Sequence, residues 1–391
     1  MQEHSPEHSE EEVQPYLPRS LLITIVSAWC GSLCMGCTLG YSSPSKHSLD
    51  DTFKEGLHGF DVYVNDWYDA LMTLGSVVGA LSGGPVAQAL GRKATLSLAA
   101  LGFMSGYTLM YLSRGSTLQI YFSRVMTGYS MGLTSLCSPA YITEVTLPHQ
   151  RGSLGGGVQM AITIGIMYSF MLGKFIHWDN LALACVVPAV LLLIASLVAT
   201  ESPRWHLLFG RRVGRSSSCT HESPIPIASL QLEAQECLTA LRGARADEEA
   251  VAIETVYLTA PMPTAHVLLA LCVNFLQQFS GINMVIFYSF GIFSNAGMQV
   301  SEGTVSFIIS LLQVFATLAA VALMDRVTRR RLLLLSSYVC IFSLVAMGAV
   351  SRVVSDQVGR ERDVVDRFPV LLVGFYIVGK DASLSDRRHY P

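Results

Sequence analysis

The stretch LALACVVPAVLLLIASLVA, residues 181–199, decides the fold class of this chain. It contains no charged residue, and at about 1.5 Å per residue a helix of this length matches the ~30 Å hydrocarbon core of a bilayer. A helix of a soluble protein carries an apolar stripe and a polar face, whereas this one is apolar on nearly every side. The stretch therefore predicts a membrane-spanning helix.

The same test, applied outward along the chain, finds eight more segments of spanning length, and the chain is predicted to be an all-α membrane protein. A shorter apolar run follows at residues 368–379. Only 14% of the residues are charged, where soluble proteins carry about a quarter. The predicted spans are 21–41, 65–88, 95–112, 120–141, 154–176, 181–199, 264–293, 303–323 and 332–350.

Small residues recur at four-residue spacing inside two of these spans. Gly75 and Gly79 lie in the second span, and Gly128 and Gly132 lie in the fourth. Such pairs let membrane helices approach closely, because no side chain separates the backbones. We interpret them as structural contacts between helices.

Lysine and arginine are concentrated in alternate loops, and this predicts the orientation. Cytoplasmic loops of membrane proteins carry the excess of these residues, which places the N-terminus in the cytoplasm. The loop 351–367 goes against the rule. The predicted units are a cytoplasmic tail (1–20), a six-helix bundle (21–200), a cytoplasmic linker (201–263), a partial second bundle (264–379) and a polar tail (380–391).

Several function classes lack any supporting pattern in the sequence. There is no phosphate loop or plausible catalytic triad, so an enzyme is not expected. No basic tract indicates nucleic acid as a partner. The nine cysteines lie mostly in apolar runs and fit no zinc pattern, so neither a metal nor a cofactor is expected. Membrane lipid is the expected surrounding, and the oligomeric state stays open.

Three further motifs lie at the ends of predicted spans or inside one. GPVAQALGRK (Gly84–Lys93) ends the second span, ESPRW begins the linker at Glu201, and FLQQFSGIN (Phe275–Asn283) lies inside the seventh. An apolar span would not normally contain two glutamines, a serine and an asparagine in one short stretch, because unpaired amides in hydrocarbon cost several kcal/mol. Such side chains must face partners, water or a ligand.

With these motifs the chain resembles the sugar porters of the major facilitator superfamily, and GYSSP (Gly40–Pro44) resembles the class III glucose transporters and insect trehalose transporters. The resemblance implies a major facilitator fold with about nine to ten of twelve spans. It implies a small sugar as the partner and transport by alternating access as the function. Uncharged amides suit that substrate, since each offers donors and acceptors to sugar hydroxyls.

The resemblance also implies which residues act. The sugar-binding set is Gln159, Gln277, Gln278, Asn283 and Gln313. A second set of charged residues would form a cytoplasmic gate network whose pairs form in one state and break in the other. Plain structural hydrogen bonding is the alternative interpretation for both sets. The gate set is Arg92, Lys93, Arg124, Glu144, Arg151, Glu201, Arg204, Asp325, Arg326 and Arg329.

The first predicted span contains no Asp or Glu. Proton-coupled sugar porters carry a buried carboxylate there, so the sequence favours facilitated diffusion of a hexose or trehalose over proton symport. The acidic residues are expected at the cytoplasmic rim. Leu21 and Leu22 begin the span instead of forming a sorting signal, and we expect the plasma membrane over an internal vesicle.

The last residues depart from the family pattern. Lys380, Asp381 and Asp386 fall where the middle of a tenth span would lie, and charges at that depth are costly. From the sequence we expect a C-terminally truncated porter with an incomplete second bundle. A third hypothesis follows, in which the chain does not transport and acts on full-length partners.

Overall fold

The computed structural model describes a bundle of long α-helices. The described residues are 19–56, 62–113, 116–146, 151–202 and 302–324, with isolated helical positions elsewhere between 205 and 345. The helices are α1 (Arg19–Gly56), α2 (Val62–Leu90), α3 (Arg92–Leu112), α4 (Thr117–Val145), α5 (Arg151–Gly173), α6 (Trp178–Val198) and α7 (Glu302–Met324). No strand occurs in these ranges.

Seven of the nine predicted spans coincide with these helices. The spans predicted at 264–293 and 332–350, the linker and the tail from 368 onward fall almost wholly outside the described residues. Among the described residues, six helices are long and apolar enough to cross a membrane: α1, α2, α3, α5, α6 and α7. We call the end of the bundle that holds Arg92 and Glu144 the inner end, and the opposite end, with Lys46 and His177, the outer end.

Helix α4 is less apolar because it lies at the centre of the bundle. It packs against α1, α2 and α3, and its buried residues include many serines, threonines and glycines. Several of those hydroxyls donate to carbonyls one turn earlier, as Thr134 does to Ser130 at 2.8 Å. Helix α1 packs on α5 and α6, and α5 packs on α7.

The paired glycines are the points of closest helix approach, as predicted. A Cβ built on Gly79 would collide with the backbone of Tyr129 in α4, and one on Gly132 with the backbone around Ser76 in α2. Gly36 on α1 meets the backbone of α5 in the same way. Backbone contact of this kind gives van der Waals packing without a hydrophobic driving force.

Replacement of Gly79 by valine is expected to destabilise the bundle by roughly 1–3 kcal/mol or more, the usual cost of overpacking. Gly84 lies one turn further along α2 with nothing within 4 Å of a built Cβ. Gly84→Ala is therefore the matched control and should leave the melting temperature in detergent unchanged or raise it. Equal melting temperatures for the two variants would contradict the packing assignment.

Helix α1 is longer than predicted. The apolar run ends at Tyr41, but the helix continues through Pro44 to Gly56. The prediction used the apolar run alone, so it did not include the polar helical turns that follow Tyr41.

Candidate functional site

A tight turn at the inner end joins α2 to α3. Gly91 has a φ of 92°, a left-handed conformation that favours glycine. A Cβ at this position would also meet the carboxylate of Glu201. Glycine is therefore required both by the backbone and by the approach of the acidic side chain.

Glu201 accepts hydrogen bonds from the start of α3. Its Oε1 lies 2.7 Å from the backbone nitrogen of Arg92, and its Oε2 lies 3.2 Å from that of Lys93. The carboxylate satisfies N–H groups that have no partner within the helix, and it sits at the positive end of the helix dipole. Glu201, the first residue of the linker, is thus hydrogen-bonded to the N-terminus of α3.

Arg92 links this turn to the end of α4. Its Nη2 and Nε lie 2.8 and 3.2 Å from Oε1 of Glu144, and its Nη1 donates to the carbonyl of Ala87 at 3.0 Å. The other carboxylate oxygen of Glu144 accepts from the Ser202 hydroxyl at 2.5 Å. The two charged side chains are only 14% and 13% exposed. Such shielded, charge-assisted bonds are stronger than surface ion pairs.

Further hydrogen bonds hold the linker to the bundle. The Tyr141 hydroxyl donates to the carbonyl of Thr200, and the indole of Trp205 donates to the carbonyl of Gln88 at 2.8 Å. Only the backbone of Gln88 takes part in this bond, so the bond does not depend on the side chain at position 88. We call Arg92, Glu144, Glu201 and Ser202 the inner network.

The structure brings together only part of the predicted gate set. Arg92, Glu144 and Glu201 meet, while Lys93 contributes its backbone N–H. The Arg151 side chain and the residues Arg204, Asp325, Arg326 and Arg329 lie outside the described residues.

The assignment of Arg124 to the cytoplasmic network is corrected. It lies twenty residues before Glu144 on α4, which is about 30 Å along the helix axis. Its guanidinium is 3.7 Å from the ring centre of Tyr68 and 4.8 Å from that of Tyr41, near the outer end. The family resemblance placed Arg124 in the gate set with Glu144. The two residues lie on the same helix, but the length of α4 between them puts them at opposite ends of the bundle.

An ion pair at the outer end was missed. Lys46 on α1 pairs with Asp69 on α2, and Asp69 is 6% exposed. The expectation that the acids lie at the cytoplasmic rim is therefore wrong for Asp69. A carboxylate inside the predicted span 65–88 was the available signal, because ionisable residues within spans are rare and paired.

Helix α7 presents a buried polar face. Ser306, Ser310, Gln313 and Thr317 recur at helical spacing and are at most 4% exposed. The hydroxyls of Ser310 and Thr317 bond to carbonyls of their own helix at 2.7 and 2.8 Å. Among the described residues, the buried side-chain atom of this face that lacks a hydrogen-bond partner is the Ser306 hydroxyl. Polar groups on a buried face need a protein group, water or a ligand as partner.

The two predicted sugar-binding residues on α5 and α7 lie on packed helices. Val321 is opposite Gly156, and Gly303 is opposite Lys174, so the helices are antiparallel. This register puts Gln313 about 7 Å further toward the outer end than Gln159. Gln159 is half-buried and Gln278 is exposed, whereas Gln277 and Asn283 lie outside the described residues.

Within the described ranges, no group of three or more His, Cys, Asp or Glu side chains is arranged to hold a metal ion. The described site residues interact through hydrogen bonds and ion pairs.

The family model and the relatives that this chain matches are all described as transporters of sugars. The sequence profile described as "Sugar (and other) transporter" matches residues 62–379. The facilitated glucose transporter member 8 of solute carrier family 2 from Bos taurus is 32% identical over 352 residues, covering 87% of this chain and 70% of the relative. The facilitated trehalose transporter Tret1 from Aedes aegypti is 29% identical over 364 residues, covering 92% of this chain and 44% of that relative.

Solved structures match the architecture as well. The xylose transporter XylE from E. coli, in a partially occluded inward-open conformation, matches with a TM-score of 0.69 at 19% identity over 94% of this chain and 85% of its own. The major facilitator superfamily proton:xylose symporter XylE bound to 6-bromo-6-deoxy-D-glucose matches with a TM-score of 0.74 at 19% identity, over 95% of this chain and 81% of its own.

Proposed function

The chain belongs to the sugar transporter family, and we propose that it carries a hexose or trehalose across the membrane by facilitative uniport. It is an integral, multi-pass membrane protein with a major facilitator fold. The sugar would pass without any change in its covalent bonds.

The observation that carries this proposal is the likeness to facilitated transporters. Bovine member 8 aligns with 87% of this chain at 32% identity. The named substrates of the relatives, glucose and trehalose, define the sugars to be tested first.

Proton symport is the second candidate, and Asp69 is the observation that would favour it. A buried carboxylate within a span is a functional-site hypothesis by default. Asp69, however, is paired with Lys46 at the outer end of the spans. The span Leu21–Lys46 contains no carboxylate. We therefore favour uniport.

The sugar site is proposed between α5 and α7, with Gln159 and Gln313 contributing amides and with Gln277, Gln278 and Asn283 completing it. The position of Gln313 on the buried polar face of α7 supports this proposal. A hydroxyl-rich ligand could donate to its oxygen and accept from its nitrogen at the same time.

The inner network is proposed to be the fixed half of a cytoplasmic gate. It joins the inner ends of α2, α3 and α4 to the first linker residues, so these parts would move as one body. Arg151, Arg204, Asp325, Arg326 and Arg329 would supply contacts that form in one state and break in the other, and such contacts bias a two-state equilibrium.

The plasma membrane is the proposed location. Leu21-Leu22 begins the first apolar helix, α1, and this position supports the proposal that the pair is not a sorting signal.

We expect saturable uptake of labelled glucose or trehalose into liposomes that contain the purified chain. Collapse of the proton gradient with a protonophore should leave the initial rate unchanged. A rate that falls with the gradient would replace uniport by symport. Absence of uptake of every sugar tested, from protein shown to be inserted, would contradict transport by this chain.

A further inference from the structure

The outer turns of α1 follow a weak point in the helix. Pro44 lies inside α1 and has no N–H to donate to the carbonyl of Gly40. Sharp kinks in helices occur at such positions. The residues after Pro44 therefore depend on side-chain contacts to stay aligned with the rest of the helix.

Three contacts supply that support. Lys46 pairs with Asp69 on α2. The Ser45 hydroxyl lies 2.8 Å from the Tyr68 hydroxyl, and the Ser48 hydroxyl lies 2.5 Å from Nδ1 of His177. The post-proline segment is thus fastened to α2 and to the α5–α6 connection, all within the bundle of α1–α6.

The pair of Lys46 and Asp69 is the contact between oppositely charged groups among the three. Arg124 is 1% exposed, stacks on Tyr68 and donates to Ser45 at 3.4 Å, while its Nε has no partner. Asp69 follows Tyr68 directly and is the carboxylate in contact with Lys46. Two cations therefore share this region with Asp69. Removal of one partner of a buried pair leaves the other charge uncompensated, which is strongly unfavourable.

We propose that Lys46 and Asp69 form a latch that keeps the outer turns of α1 on its own bundle and so sets the rate at which the outer mouth opens and closes. The effect on transport rests on the proposed function. Both are positioning residues, since neither lies on the face of α7 or α5 assigned to the sugar.

Lys46→Met is expected to lower the maximal uptake rate about fivefold while KM stays within about twofold, since the change removes no sugar contact. Asp69→Asn should be worse than Lys46→Met, because it leaves Lys46 without its counter-ion beside a second buried cation, Arg124. Lys46→Arg and Asp69→Glu keep the pair and should keep the rate. Asp179→Asn, a change to another outer carboxylate that is not in the latch, is the matched control.

A sugar-independent measurement tests the latch itself. The Ser42 hydroxyl is buried and, among the described residues, has no hydrogen bond, so Ser42→Cys removes no contact. Labelling of this cysteine by a membrane-impermeant thiol reagent, after subtraction of labelling in the parent chain, should be slow. Lys46→Met should raise the labelling rate about tenfold by making local opening easier. The double change Lys46→Met with Asp69→Asn should add little more, because the pair acts as one unit.

The two hypotheses fail in different ways. Unchanged labelling in Lys46→Met and Asp69→Asn overturns the latch, even if sugar is transported normally. Equal losses of rate in Lys46→Arg and Lys46→Met also overturn it. Faster labelling from a chain that transports none of the tested sugars overturns the proposed function and supports the latch.

Discussion

Glu201→Ala is expected to lower sugar uptake at least tenfold per inserted molecule. The change leaves the N–H groups of Arg92 and Lys93 at the start of α3 without their acceptor. Hydrogen bonds to a charged group contribute about 1.5–3 kcal/mol each, and 1.4 kcal/mol corresponds to a factor of ten. It also removes the side chain against which the Gly91 turn is packed.

The measurement is initial uptake in liposomes, normalised to inserted protein, together with the melting temperature in detergent. Asp179→Ala is the matched control, because Asp179 is likewise a carboxylate at the start of a helix, α6, but among the described residues it accepts from the neighbouring Asn180 alone, at 2.7 Å. Glu201→Gln keeps an acceptor oxygen and should be intermediate. Uptake by Glu201→Ala within twofold of the parent chain would contradict the role of the inner network.

The sequence predicted most helices of the bundle because lipid makes a simple demand on composition. Every residue that faces hydrocarbon must be apolar, so each span is visible as an uninterrupted run. The small residues at Gly79 and Gly128 likewise revealed where α2 and α4 touch. The same demand is silent about polar turns that are buried against protein, such as Ser42, Ser43 and Ser45, so the extension of α1 through Pro44 was not predicted.

Charged residues were harder to place than helices. Arg92, Glu144 and Glu201 were assigned together from motifs, and the structure joins them. Arg124 was assigned to the same set but lies at the far end of α4. Membership of a set of charged residues gives no depth in the membrane. The partner of Lys46 could not be deduced, since ion pairing between two helices depends on their relative rotation.

The predicted sugar-binding residues are only partly described, since Gln277 and Asn283 lie outside the described residues. An amide in a span predicts a polar surrounding but does not say whether a protein group or a ligand supplies it. The position of Gln313 on a buried polar face of α7, a helix that packs on α5, turns this ambiguity into a test.

Gln313→Leu is expected to raise KM for the transported sugar at least tenfold, with no loss of stability. A site that hydrogen-bonds its ligand loses affinity when a polar group is removed, and the sugar hydroxyl is then left unpaired. Leucine has a similar volume and is apolar. If the ligand, and not the protein, is the partner of this amide, the replacement should leave the melting temperature unchanged or raise it. A purely structural glutamine gives the opposite pattern, with a lower melting temperature and an unchanged KM.

Gln119→Leu provides the matched control, because it is the same substitution at an exposed position of α4. It should change neither KM nor stability. Gln159→Leu, on the helix that packs against α7, is expected to behave like Gln313→Leu if the two amides serve one ligand. A raised KM for both, with both proteins as stable as the parent chain, would locate the sugar between α5 and α7. An unchanged KM for both would remove it from there and leave the polar face of α7 as a packing feature.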